Sequence, residues 1–316
     1  MRGCVTVEER TQQAASGQPA TTRKVYAAAV TYAAITGFSF MFNKIALRVT
    51  GPVNILAYRF TAAFAALLIP VLLQKVRLSY NRKKVIRILP LALFYPLLFF
   101  GFQTFGLQYI LSSEAGILLA ASPIFTLLLA SLFIGEKTNY RQKFSVFLSV
   151  GGVISVLVLG GSGLDLNNIK GISLILLSAL SIAGYNVLAR VLTREYSNLE
   201  LSYLMIFLGF VGFNLLSLGQ HLQSGTLAAF AAPLKSRHFL SATLYLGVLS
   251  TAVTSLLTNY VLTYIKAAKM SVFSNLGTLI TVLAGVVFLK ERLLYYHFLG
   301  SLLIIAGVLG TNFLGD

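Results

Sequence analysis

The stretch from Ser113 to Gly160 decides the fold, because the chain contains it twice. It opens with Ser113-Glu114-Ala115-Gly116, continues through Pro123 and the turn Phe133-Ile134-Gly135-Glu136-Lys137, and reaches Gly151-Gly152-Val153. Adding 155 to a residue number gives its counterpart. The identical pairs include Tyr109 and Tyr264, Thr126 and Thr281, Phe133 and Phe288, Glu136 and Glu291, Tyr140 and Tyr295, Gly152 and Gly307, and Val153 and Val308. The offset holds without a gap from about residue 103 to 157, so a helix, a charged turn and a second helix are duplicated.

The composition indicates a membrane protein. The chain is 57% hydrophobic and 11% charged, whereas a soluble domain has about 25% charged residues. The net charge is +16, but the basic residues lie in short segments between apolar runs. That distribution favours a membrane-orientation signal over nucleic-acid binding. The single cysteine, Cys4, excludes an intrachain disulfide and has no catalytic motif around it.

Ten apolar stretches are long enough to cross the hydrocarbon core as helices, which takes about 20 residues. They are 25–46, 54–74, 88–109, 115–134, 144–160, 171–190, 200–219, 240–262, 269–289 and 296–314. Strands are excluded because the runs are too long and do not alternate. Residues 1–24 are polar and lack the apolar core of a signal peptide, so we predict a disordered cytosolic tail.

The basic residues predict the orientation. With the N-terminus inside, seventeen of the 25 Lys and Arg fall in inner segments, seven fall in outer segments, and Arg59 lies within a span. This bias predicts that both termini are cytoplasmic. Two halves of five spans each require the second half to be inverted in the membrane. The predicted fold is therefore an all-α integral membrane protein, with ten transmembrane helices arranged as two inverted five-helix repeats, 25–160 and 171–314.

The motifs then resemble a known family. In the first half they are Arg59-Phe60, Tyr109 with Ser112, Ser113 and Ala115, Pro123, Gly135-Glu136-Lys137 and Gly151-Gly152-Val153. In the second half they are Asn275-Leu276, Leu289-Lys290-Glu291-Arg292 and Ala306-Gly307-Val308. In this order, the chain after residue 24 resembles the EamA-type transporters of the drug/metabolite transporter superfamily.

The resemblance implies a ten-helix carrier that exports or exchanges amino acids and other small metabolites across the cell membrane by alternating access. It implies a central cavity lined mainly by helices one to four and six to nine. We expect no cofactor or metal, a small-molecule substrate and the lipid bilayer as partners, no nucleic acid, and compatibility with a homodimer. Two departures stand out: the chain has no Trp, which the family often has in helix one, and Pro123 has Thr278 as its counterpart. If Pro123 is a hinge, the second half must bend elsewhere, for example at Gly277.

Polar stripes in two neighbouring spans predict a wet cavity. Span eight carries Thr251, Thr254, Ser255, Thr258 and Asn259, and span nine carries Ser271, Ser274, Asn275, Thr278 and Thr281. Spacings of three and four place such residues on one helical face. The alternative is that they join helices by hydrogen bonds of ~0.6 kcal/mol each. The substrate-binding candidates are Tyr95, Gln103, Tyr185, Asn186, Thr254, Ser255, Asn259, Ser271, Ser274, Asn275 and Thr278.

The charged residues in or beside spans are Lys44, Arg59 and Glu114. Buried charges in a membrane are functional candidates, and cations facing the cavity would favour a substrate with a carboxylate. The alternative is structural pairing or snorkelling to the headgroups, since Arg59 is five residues from Asn54, or ~7–8 Å. None of the nine acids is mid-span, which favours facilitated diffusion or exchange over carboxylate-based proton coupling. Glu114 is the least implausible exception, and it also suits a helix N-terminus.

The duplicated turns and small residues indicate structural roles. We predict that Glu136 and Glu291 cap backbone amides or pair with Lys137 and Arg292, acting on folding or gating, and that Pro123 serves gating. Helices five and ten carry small residues at a spacing of four, Gly151 with Ser155 and Ala306 with Gly310. Such spacing suits close helix packing or a dimer contact outside the transport path.

Four functions compete. The first is a secondary carrier for small metabolites, with amino acids leading. The second is an organellar sugar-phosphate or nucleotide-sugar exchanger, which needs deep cations in the second half, where span nine offers only Lys269. The third, a membrane enzyme, would need clustered His, Asp, Cys or Glu at depth, which the sequence lacks. The fourth is a non-transporting structural or regulatory membrane protein. The absence of a Gly-x-x-x-x-Gly-Lys-Ser/Thr motif argues against transport driven by the chain's own ATP hydrolysis.

Overall fold

The computed structural model describes residues 19–73, 82–133, 135, 139–159, 166–193, 196, 198–265 and 267–313. Regular structure in these residues is helical throughout and forms ten rods. We number them α1 Pro19–Leu47; α2 Pro52–Leu72; α3 Arg82–Ala92, Leu93–Leu98 and Phe99–Gly106; α4 Ser112–Leu119 and Ser122–Phe133; α5 Tyr140–Leu159; α6 Leu166–Leu192; α7 Asn198–Gln223; α8 Arg237–Leu244, Tyr245–Val253 and Thr254–Tyr264; α9 Ala267–Leu289; and α10 Tyr295–Phe313. Glu136 lies outside the described residues.

The helices have the length and composition of membrane spans. Seven are long and apolar enough to cross a bilayer, namely α1 to α4 and α6 to α8, while α9 and α10 contain the shorter apolar runs Leu276–Leu289 and Tyr295–Gly307. Large apolar side chains such as Leu132 and Phe147 point outward and are more than 70% exposed, as expected where lipid is the solvent. The predicted all-α membrane fold is confirmed. The count of ten spans and the inversion of the second half stay predictions.

The first helix begins inside the stretch that was predicted as an N-terminal tail. The tail was expected to reach residue 24, but α1 already begins at Pro19. Proline is favoured in the first turn of a helix, because its φ is preset and its missing amide hydrogen is not needed there. The helix therefore includes Arg23 and Lys24.

The helix contacts have two-fold symmetry. Extensive contacts join α1 with α9, α4 with α6, α3 with α6, α1 with α8, α4 with α9, α2 with α7, and α5 with α10. If each helix is exchanged with its counterpart five places along the chain, this set of pairs is reproduced. That is the arrangement expected of two repeats related by a two-fold axis. Helices α5 and α10 pack against each other, although a side chain at Gly151 would contact nothing within 4 Å; a homodimer stays a prediction.

The third helix of each half departs from regular α-helical geometry at corresponding positions. In α8 the segment Tyr245–Val253 is a wider, π-helical one, in α3 the helix breaks within Leu93–Leu98, and the offset of 155 places the second of these segments within the first. Tyr95 has φ −139° and ψ 114°, so α3 is kinked there. Wide turns like that of α8 often occur at functional sites, and here both irregular segments lie beside the cavity described below.

The fourth helices of the two halves differ. Helix α4 is interrupted by a turn at Ala120 and Ala121, and Pro123 stands in the first turn of the segment that follows. Helix α9 is uninterrupted, so the bend suggested at Gly277 is not present. Gly277 instead allows close packing, because a Cβ there would lie 3.0 Å from Thr36 Oγ1 and 3.1 Å from the Ala33 carbonyl oxygen.

Candidate functional site

A polar cavity lies where the two halves meet. Its polar lining comes from α1, α3, α4, α6, α8 and α9: Tyr32, Thr36, Ser39, Tyr95, Gln103, Ser122, Tyr185, Ser250, Thr254, Thr258, Ser274, Thr278 and Thr281. Phe40, Phe99, Phe100, Leu119, Ile182 and Gly277 complete the wall. Its volume is about 50 Å³, which suffices for a few water molecules but is below the ~300–1,000 Å³ of small-molecule pockets. This conformation is therefore nearly closed around the cavity.

Two tyrosines of the wall contact each other, and hydrogen bonds to neighbouring helices fix one of them. The Tyr95 and Tyr185 ring centroids are 4.7 Å apart. The Tyr185 hydroxyl donates to Asn259 Oδ1 at 2.7 Å, and Asn259 Nδ2 donates to Ser202 Oγ at 2.8 Å. A buried Tyr hydroxyl or amide needs such partners. This chain of hydrogen bonds fixes the Tyr185 ring against the cavity and links α6, α8 and α7.

Six of the predicted substrate-binding residues lie together in the cavity wall. They are Tyr95, Gln103, Tyr185, Thr254, Ser274 and Thr278. Asn186, Ser255 and Asn259 are buried but are not in the wall. The side chains of Ser271 and Asn275 lie outside the part of the structure that is described. Thr254 and Thr258 form one face of α8, whereas Ser255 and Asn259 are each one residue further around the helix.

Helix α1 was expected to line the cavity, but the predicted substrate-binding residues include none from it. Tyr32, Thr36 and Ser39 line the cavity, and their spacing of four and three residues within an apolar helix was a readable signal. The neighbouring Gly37 lets α9 approach closely, because a Cβ there would lie 2.5 Å from Ile280 Cβ. Thr281 Oγ1 donates to the Gly37 carbonyl oxygen at 2.8 Å. The same α9 face also bonds to α4, where Thr278 Oγ1 donates to the Gly116 carbonyl oxygen at 3.2 Å.

Arg59 is fully buried within the protein. Its side chain is 0% exposed, the largest of the fully buried side chains, so snorkelling to the headgroups is excluded. Nε donates to Thr251 Oγ1 at 2.7 Å, and Nη2 donates to the Ser250 carbonyl oxygen and to Ser250 Oγ, both at 3.1 Å. The guanidinium carbon lies 3.8 Å from the centre of the Phe100 ring. Nη1 has no hydrogen-bond partner.

Glu291 caps a helix of the other half. Its Oε1 accepts from the Ser112 amide at 2.9 Å and from Ser112 Oγ at 2.8 Å. Its Oε2 accepts from the Ser113 amide at 2.9 Å and from Ser113 Oγ at 2.6 Å. These are the first residues of α4, whose own N-cap residue, Leu111, offers no side-chain bond. A carboxylate at a helix N-terminus satisfies free amides and complements the helix dipole.

The environment of Glu291 favours its ionised form. Burial opposes ionisation, but the hydrogen bonds from Ser113 and Ser112 outweigh it and hold the pKa of Glu291 below its usual value. Lys44 and Glu114 interact electrostatically with this carboxylate, and Glu114 lies in the first turn of α4. Lys44 and Glu114 are not in the cavity wall. Glu291 thus caps the start of α4, a helix of the first half, rather than backbone amides beside its own turn.

Comparison with known proteins identifies the family. The sequence model of the EamA-like transporter family matches residues 23–158 and again residues 169–313. The chain belongs to the EamA-like transporter family. It is therefore a multi-pass membrane transporter of the drug/metabolite superfamily, as the motifs indicated, and family membership identifies its substrate as a small molecule.

Individual relatives agree with this membership. The uncharacterized transporter YcxC of Bacillus subtilis (strain 168) is 48% identical over 91% of this chain and 92% of its own length. A probable terminal-alkyne amino-acid exporter of Streptantibioticus cattleyicolor is 25% identical over 66% of each chain. A solved crystal structure superposes with a TM-score of 0.68 at 16% identity, covering 93% of this chain and 98% of the other, and this similarity shows a shared fold alone.

Proposed function

We propose that this EamA-family transporter exports or exchanges amino acids and related small metabolites across the cell membrane by alternating access. The observation that carries the proposal is the small cavity between the two halves, whose wall includes hydroxyl, amide and aromatic groups. Gln103 Oε1 is buried in that wall without a hydrogen-bond partner, so it offers an acceptor to an ammonium or hydroxyl group. The distant relative named as an amino-acid exporter supports the same substrate class.

Alternating access fits the architecture. The cavity of about 50 Å³ is too small for most metabolites, so binding and release require the helices around it to part. In inverted-repeat carriers, the two halves exchange conformations and open opposite faces in turn. The packing of α1 with α9 and of α4 with α6 forms two equivalent seams between the halves, and these are the surfaces on which such a movement would take place.

The wall chemistry favours exchange or facilitated diffusion. Among the described residues that line the cavity, none is Asp, Glu or His, and these are the side chains that commonly carry protons in transporters. A carrier with such a wall would move substrate in both directions and be driven by substrate gradients. Glu114, at the start of α4, is the first residue to replace if transport needs a proton gradient.

Proteoliposomes containing the purified full chain test the proposal. We would measure uptake of labelled amino acids, organic acids and sugar phosphates, with and without an imposed pH gradient, and with or without unlabelled solute inside. The expected result is amino-acid uptake that is indifferent to the pH gradient and rises with internal substrate. Uptake that requires the gradient would contradict the exchange mode, and selective uptake of sugar phosphates would contradict the substrate class. No uptake by folded protein would favour a non-transporting role.

A further inference from the structure

The buried guanidinium of Arg59 is an unbalanced charge inside the membrane domain. Arginine stays charged in proteins, and a charge removed from water is costly unless it is paired and fully hydrogen-bonded. Every partner of Arg59 within the described structure is neutral: one hydroxyl from Thr251, the carbonyl and hydroxyl of Ser250, and the Phe100 ring. The described residues supply it with no carboxylate, and Nη1 bonds to nothing. The site therefore lacks an anion.

The guanidinium lies next to the cavity. Ser250 accepts a hydrogen bond from Nη2, and Phe100 stacks on the guanidinium; both residues line the cavity. Arg59 is thus one side chain removed from the cavity, behind the wall that α3 and α8 share. Ser250 lies in the π-helical segment of α8, and Phe100 lies two residues after the kinked segment Leu93–Leu98 of α3. For a carboxylate in the cavity to reach Nη1, one of these two segments must move.

We propose that Arg59 is the residue that binds the carboxylate of the transported solute. A carboxylate presents two oxygens to the fork of a guanidinium, which gives a pair of parallel charge-assisted hydrogen bonds. Such a ligand would supply the missing acceptor for Nη1 and the missing negative charge together. The inference rests on the proposed transport function and narrows it to solutes with a carboxylate, whether or not they also carry an amino group.

A series of matched analogues tests this on the unaltered protein. The probes are L-alanine, L-lactate and L-alaninol, and the same series built on L-leucine. L-Lactate keeps the carboxylate and replaces the ammonium by a hydroxyl, whereas L-alaninol keeps the ammonium and replaces the carboxylate by a hydroxymethyl group. Binding is measured as a shift in the melting temperature of the full chain in nanodiscs, and transport as competition for uptake. We expect the amino acids and hydroxy acids to bind and the amino alcohols to fail. Equal binding of acid and alcohol, or no response to any carboxylate probe, would overturn the proposal.

Two variants locate the effect at Arg59. Arg59→Gln should raise the KM for carboxylate solutes roughly tenfold or more, and Arg59→Lys should restore part of the affinity, because it keeps the charge without the fork. Arg190→Gln is the matched control, since Arg190 also donates to backbone carbonyls, those of Leu262 and Thr263 at the end of α8, but does not line the cavity. It should leave the discrimination between acid and alcohol unchanged.

The outcomes separate this inference from the proposed function. Transport of hydroxy acids without amino acids would contradict the amino-acid assignment and leave Arg59 as the carboxylate site. Transport of amino acids that amino alcohols inhibit as strongly as amino acids do would agree with the amino-acid assignment and contradict Arg59 as the carboxylate site. An Arg59→Gln protein that folds and transports carboxylates with an unchanged KM would show that Arg59 only joins α2 to α8. If that variant does not fold, the analogue series still tests whether binding requires a carboxylate, and a negative result there overturns the proposal.

Discussion

Glu291 shows how one residue can join the two halves. It stands after Lys290, whose φ of 57° turns the chain at the end of α9, and its amide donates to the Gly285 carbonyl oxygen at 3.1 Å. The returned side chain then receives four hydrogen bonds from Ser112 and Ser113. The sequence predicted a capping role from the duplication of this acid. It did not predict the target, because a target 179 residues away depends on how the halves pack.

Gly285 is required to make room for this carboxylate. A Cβ at Gly285 would lie 2.5 Å from Glu291 Oε2 and 3.2 Å from Ser112 Oγ. We therefore expect Gly285→Ala to displace the cap and lower stability by about 1.5–3 kcal/mol, the range for hydrogen bonds to a charged group. The measurement is thermal unfolding in detergent. Gly219→Ala, also near the end of a helix but with nothing within 4 Å, should have little effect, and an equal loss in both would contradict the explanation.

The same carboxylate predicts a pH dependence of stability. The native pKa of Glu291 is lowered by its hydrogen bonds, so its contribution is fully present above the unfolded pKa of about 4.3 and is lost as the pH falls through the lower native value. Glu291→Gln keeps one acceptor oxygen and loses the other. Its melting temperature should be lower than wild type at pH 7, and the difference should shrink below about pH 4. A difference that persists at low pH would point to Lys44, Glu114 or packing instead.

At the scale of the helix, the sequence predicted which helices carry polar residues at the cavity better than it predicted which of those residues face the cavity. The stripe in α8 was taken as one helical face, but its residues have different surroundings within the regular segment Thr254–Tyr264. Thr254 and Thr258 face the cavity, while Asn259, one position further around the helix than Thr258, contacts Tyr185 and Ser202. A period of 3.6 cannot reveal this division, because it depends on which helices pack against each side.

The seam between α1 and α9 contains two glycines, Gly37 and Gly277, and leaves no room for added volume. Gly37→Ala would place a Cβ 2.5 Å from Ile280 Cβ and 2.9 Å from the Gly277 carbonyl oxygen. Overpacking of this kind costs roughly 1–3 kcal/mol, and it would also shift Thr36 and Ser39 in the cavity wall. We expect both a lower melting temperature and reduced uptake. Gly101→Ala, in α3 with open space around it, is the control and should retain both; unchanged behaviour in Gly37→Ala would contradict the close contact.

At the scale of the whole molecule, the fold was predictable because it follows from quantities that a sequence carries directly. The lengths of the apolar stretches predicted the helices. The offset of 155 predicted the repeat, and the contacts between helices have the matching two-fold pattern. The site was less predictable, because only packing decides which of many Ser, Thr and Asn residues meet. Arg59 illustrates this: its position near the start of α2 suggested a route to the headgroups, but α8 supplies Ser250 and Thr251 and encloses it.

The inversion of the second half is the whole-molecule property that most needs a test. Five helices per repeat are an odd number, so Thr138 in the turn after α4 and Leu293 in the turn after α9 should lie on opposite sides of the membrane, the first inside and the second outside. The contact of Glu291 with Ser112 requires the turn after α9 and the start of α4 to share one side, and the predicted topology places both outside. Single cysteines at residues 138 and 293, introduced after Cys4→Ser removes the only natural thiol, can be labelled in intact cells with a membrane-impermeant maleimide. Leu293→Cys should react in intact cells and Thr138→Cys only after permeabilisation, whereas labelling of both from the same side would rule out an inverted repeat.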